Sequence, residues 1–100
     1  MSAFAGLVLV DLHFPDAGSL KAKRKELSSI KAQLRTRLGV AVSEVDHQDL
    51  WQRSTLAVAV TGSTQTAVLE AVDRIERFLD VRCPDGYRID RAVVAFQEVL

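Results

Sequence analysis

Apolar residues occupy both parities of the run from 3 to 14. In an extended chain Ala5, Leu7 and Leu9 fall on one side, and Phe4, Gly6, Val8, Val10 and Leu12 on the other. A strand that is apolar on both faces is normally interior to its sheet and covered on both sides. The run 52–61 has the same character, with Leu56, Val58 and Val60 opposing Ala57 and Ala59. Two further strands are expected, at 40–47 and 87–99. In the latter Tyr87, Ile89, Val93 and Ala95 alternate against Arg88, Asp90, Val94 and Phe96.

Elsewhere the period lengthens to that of a helix. Leu20, Leu27, Ile30, Leu34 and Leu38 share one face of a helix over 20–38, with Ser19 as its N-cap and Gly39 just past its end. Val68, Ala71, Val72, Ile75 and Leu79 do the same over 64–81, capped by Ser63 or Thr64 and stopped by Pro84. Glu70–Arg74 and Asp73–Arg77 are helix pairs worth together under about 1 kcal/mol. Pro15–Gly18 and Pro84–Gly86 are turns. The link between the second and third strands has neither Gly nor Asn-Gly, so a longer loop or a bulge is expected.

The order βαββαβ predicts a ferredoxin-like α/β sandwich over a single domain, 1–100. Right-handed crossovers give an antiparallel sheet of order 4-1-3-2, with both helices on one face. The other face carries the remaining apolar side chains of the central strands. A homodimer through this open face is the simplest cover, and a protein partner the next. Strand directions also bring His13, the helix start Ser19–Lys25 and the loop Asp46–Arg53 to one rim.

Charge sharpens the picture. The chain has 13 basic and 13 acidic residues, a formal net charge of zero. Over 19–38, however, seven bases (Lys21, Lys23, Arg24, Lys25, Lys31, Arg35, Arg37) face one acid, Glu26, a net of +6. The rest of the chain therefore carries −6. A globally basic nucleic-acid binder is excluded, and a polarised molecule is not. The single cysteine, Cys83, forms no internal disulfide and fits a reducing compartment. The apolar run 4–10 is too short to span a membrane and no basic region precedes it, so a cytoplasmic location is expected.

Two segments, Ser19-Leu-Lys-Ala-Lys-Arg24 and Glu44-Val-Asp-His-Gln-Asp-Leu-Trp-Gln-Arg53, resemble the signature motifs of the bacterial YlxP-like family. The resemblance runs from the first strand to the fourth. It implies a ferredoxin-like fold for a domain of unknown function. It also implies a setting among translation and ribosome-maturation genes, which is context and not mechanism.

The residues leave several chemistries open. Lys21, Arg24, Lys31 and Arg35 form a stripe, with Lys25 further round; with Lys23 at the helix start they are suited to a phosphate backbone or another anion, or are a solvated helix face. Lys21 and Arg24 oppose the helix dipole, which points to an anion or to Asp46 and Asp49 across the rim. Trp51 is either a stacking platform for a base or a cap on the end of the core, the commoner role. Arg53 pairs with an Asp or a phosphate. In the edge loop Asp46, His47, Gln48 and Asp49, the pair Asp46 and His47 offers acid–base groups, while His13, His47, Asp46 and Asp49 match no zinc or metalloprotease spacing. No nucleophile with its own base and no cofactor pattern is visible. The expectation is a non-enzymatic module that meets RNA or a ribosomal particle. The alternatives are a small-ligand or metal-dependent activity at the rim of Ser19–Lys25 and Asp46–Arg53, and a dimeric scaffold.

Overall fold

The computed structural model describes residues 1–97. Its order is β1 (Ser2–His13), α1 (Leu20–Leu38), β2 (Ala41–Asp46), β3 (Arg53–Gly62), α2 (Gln65–Arg82) and β4 (Tyr87–Gln97). The four strands form one sheet ordered β2-β3-β1-β4, antiparallel throughout. This is the expected ferredoxin-like sandwich, and β1 and β3 are the two interior strands. Glu98 and Val99, expected at the end of β4, lie outside the described residues.

Local chemistry sets the element ends. The Ser19 hydroxyl accepts from the Ala22 N–H at 3.1 Å, and Gly39 takes a left-handed conformation with its N–H on the Arg35 carbonyl. Thr64 caps α2 in the same way, accepting from Ala67 at 3.1 Å. Gly39, at φ 64°, adopts a region that costs side-chain-bearing residues energy.

Both helices cover one face. Val8, Val10 and Leu12 of β1 and Leu56, Val58 and Val60 of β3 are buried beneath Leu27, Ile30 and Leu34 of α1 and Val68, Val72, Ile75 and Leu79 of α2. Each such side chain contributes on the order of 1.5–3 kcal/mol. Helix α2 lies over β1 and β3, close enough that a Cβ on Gly6 would stand 2.8 Å from Val68 Cγ1. The opposite parity stays open to solvent: Leu7 and Leu9 are 46% and 40% exposed. Asp73 of α2 lies 3.9 Å from Arg91 of β4, an ion pair between helix and sheet.

Strand β2 contains a bulge. Glu44 stands opposite Leu56, yet Asp46 stands opposite Thr55, so two steps on β2 match one on β3. Glu44 therefore faces the helices and Asp46 the open side.

Candidate functional site

The inward stripe of α1 is Leu20, Lys23, Leu27, Ile30, Leu34, Leu38, and it contains a lysine. Lys23 is fully buried. Its ammonium has three protons to place. One goes to the His47 carbonyl at 2.6 Å, one toward Glu44 Oε2 at 3.2 Å, and the third points to the Gln48 carbonyl at 3.5 Å. The same Glu44 oxygen accepts from the buried Ser54 hydroxyl at 2.6 Å. This corrects the expectation of Lys23 as a contact for RNA or an anion, because it is buried. A position four before Leu27 and seven before Ile30 lies on the core side, and the spacing carried that signal.

Lys23 ties the β2–β3 loop to α1. His47 sits at φ 62°, a conformation that costs a side-chain-bearing residue roughly 1–2 kcal/mol. Its N–H donates to Asp46 Oδ1 at 2.7 Å, and its carbonyl accepts from both Lys23 and the Leu50 N–H. The Phe14 N–H donates to the Gln52 carbonyl at 2.9 Å, closing the loop against the end of β1. The helix start and the Trp51 loop thus share one rim.

On the open side of that rim a polar chain runs across the sheet. Thr55 donates its single hydroxyl proton to Asp11 Oδ1 at 2.6 Å. It must then accept at its 3.0 Å contact with His47 Nδ1, which puts the imidazole proton on Nδ1. In the neutral ring Nε2 is left as an acceptor, 3.9 Å from Asp46 Oδ2. An Arg53 terminal nitrogen lies 3.8 Å from Asp11 Oδ1, and Arg53 Nε is buried without a partner. Asp11, Thr55 and Ser54 are not among the sequence candidates, and Glu44 enters there only as the first residue of its motif. Asp11 had a signal, as the polar break in an otherwise apolar parity of β1.

The remaining candidates divide cleanly. Lys21, Arg24 and Lys25 are exposed, as are Gln48, Asp49 and His13, while Lys31 is half-buried. Arg35 donates to the Val42 carbonyl of β2 at 2.8 Å and is partly committed to the fold. The acid that meets α1 is Glu44, in place of the expected Asp46 and Asp49, and Glu26 pairs with Arg82 at 3.9 Å. Trp51 is 51% exposed and Leu50 47%; with Gln52 and Arg53 they line a depression of about 340 Å³. Trp51 therefore does not cap the core. Phe14, 4% exposed, belongs to the core at this end.

A second depression, of about 500 Å³, lies beside the start of β4 and includes Glu76, Asp80, Cys83 and Tyr87. The Tyr87 hydroxyl bonds Asp80 and the Glu76 carbonyl, and burial together with the Asp80 carboxylate pushes its pKa up to about 12. Burial also raises the Cys83 thiol, against the opposing pull of Arg82. Among the described residues no group of three or more His, Cys, Asp or Glu is placed to hold a metal ion. No described helix is long and apolar enough to cross a membrane.

The family described as "Protein of unknown function (DUF503)" matches residues 5–91, a span that includes both rim segments. The chain belongs to the DUF503 family. It is 35% identical over 65 residues to "Uncharacterized protein YlxP" of Bacillus subtilis (strain 168), covering 65% of this chain and 71% of that one. The YlxP-like resemblance thus holds. Among solved structures the chain is similar to the de novo designed protein Foldit4, with a TM-score of 0.57 and 11% identity over 92% of this chain and 96% of that one. That likeness is one of fold alone. In this DUF503 chain the two motifs meet through Lys23, Glu44 and the His47 carbonyl, so part of each is spent on holding the other.

Proposed function

We propose that this DUF503 protein is a non-enzymatic module that grips structured RNA, free or within a ribosomal particle, at the rim shared by α1 and the Trp51 loop. One observation carries the reading: three exposed cations, Lys21, Arg24 and Lys25, crowd the start of α1, whose first turn has no acid, beside a half-exposed tryptophan. Positive charge at a helix N-terminus opposes the macrodipole, and a phosphate placed there relieves both. Trp51 adds a face on which a base stacks, worth about 1–3 kcal/mol. The translational setting implied by the family resemblance agrees with this class of partner. The test is binding of structured ribosomal RNA fragments across a salt series. Affinity should fall steeply with salt. Replacing Lys21, Arg24 and Lys25 together by Ala should remove up to about three counterions from the log–log slope. Absent or salt-independent binding rejects the reading.

A second reading places a small anionic ligand or a metal-dependent activity at His47 and Asp46. It is favoured by the imidazole tautomer, which leaves Nε2 free to accept. A thermal shift with divalent metals or inorganic phosphate that vanishes in His47→Gln would support it, and a shift unchanged in that variant would remove it.

A further inference from the structure

The open face of the sheet has an internal order. Between the polar rim and the far end its bulky apolar side chains, Leu7, Leu9, Val94 and Phe96, stand on β1 and β4, while Val45, 48% exposed, sits at the β2 bulge beside the rim. On the β2 and β3 half, the facing positions between the polar rim and Thr61 are small: Ala41, Ser43, Ala57 and Ala59. The strand order β2-β3-β1-β4 puts the boundary between these halves in the middle of the sheet.

We propose that a second copy of the chain covers this face, related by a two-fold axis parallel to the strands and midway between β1 and β3. Such an axis keeps each cross-strand row at its own level and exchanges the halves. The row Ala92–Leu7–Ala59–Ala41 then sets Leu7 on Ala59 of the second copy. The row Asp90–Leu9–Ala57–Ser43 sets Leu9 on Ala57. Large side chains enter small positions at both levels, which is what a close-packed interface requires.

Charge follows the same operation. The rim row runs Arg88–Asp11–Thr55–Asp46. Exchange of halves brings Arg88 of each copy over Asp46 of the other, two opposite-charge contacts per dimer. The long Arg88 side chain spans the offset introduced by the usual crossing of aligned sheets, about 30°. The other face-to-face arrangement, with the axis across the strands, stacks Leu7 on Leu7 and carries the charged rim toward the apolar end at Ala3 and Phe96. That leaves Asp11 and Arg88 opposite hydrocarbon, at a desolvation cost with no return.

The area suffices. Four strands at about 4.8 Å spacing, over some 25 Å of length, offer roughly 500 Å² per copy in flat projection, or about 1,000 Å² in all. Specific interfaces begin near about 1,000–1,200 Å². The surface is therefore that of a modest homodimer.

Sedimentation velocity of the whole chain at tens of micromolar should give twice the 11.0 kDa chain mass. Leu7→Glu changes a side chain that is already 46% exposed, so the fold should hold by circular dichroism while the dimer is lost. Arg88→Asp and Asp46→Arg should each raise the dissociation constant by about tenfold or more. Mixing those two variants should restore dimers between unlike chains, because the heterodimer recovers both contacts. A wild-type monomer at these concentrations, or a Leu7→Glu dimer, overturns the proposal. Failure of the mixture to associate overturns the two-fold assigned here.

Discussion

Lys23 has three protons to place and no water to receive them. Removing it leaves Glu44 and the His47 carbonyl without their cation, and breaking a buried pair from one side costs about 3–5 kcal/mol. Glu44 keeps some solvent, so the lower end applies: Lys23→Ala should destabilise by about 3 kcal/mol in denaturant unfolding. Lys21→Ala, on the exposed side, should change stability by less than about 0.5 kcal/mol. Tyr87 offers a residue-level test by pH. Its folded-state pKa is raised from 10.0 to about 12, so its contribution is whole below 10 and is lost as pH climbs between the two values. Phenolate absorbance should show a midpoint near 12, moving down in Asp80→Asn. The face of Lys23 was legible from its spacing, but neither its partners nor the exposure of Trp51 was. Lys23 looks like one cation among seven until the inward stripe is traced through it. Trp51 resembles a core lid only because Phe14, which belongs to the core there, looks like the end of a strand.

Elements were far more legible, because a period of 2 or 3.6 is written in many residues at once. The helix at 20–38 has the bounds expected from Ser19 and Gly39, and the strands shift by a residue or two where fraying and capping compete. What no period encodes is how closely two elements approach. Gly6 is one apolar-side position among several in sequence, yet it is where α2 touches β1. A methyl group there would meet Val68 Cγ1 at 2.8 Å and Val60 Cγ2 at 3.1 Å. Gly6→Ala should therefore cost about 1–3 kcal/mol by overpacking. Val68→Ala in the same chain should recover part of that loss, as a double-mutant cycle would show.

At the scale of the molecule, the doubly apolar strands already announced a sheet with one face still to cover, and the basic helix announced a polarised surface. The size and charge order of the open face was not legible, because it depends on which row of β4 meets which row of β2 through two intervening strands. If two copies unfold as one unit, stability depends on concentration. The melting temperature should rise by several degrees over a hundredfold increase in protein, and stay constant in Leu7→Glu.

The bulge in β2 has a consequence for length itself. With Val45 present, one carboxylate points into the sandwich and the next faces outward. Excising that single residue would restore one-to-one pairing, with Asp46 directly after Glu44, still opposite Thr55 and still on the open side. What the extra residue adds is a local bend and twist at the rim, so a shortened β2 should keep its two faces and lose that bend.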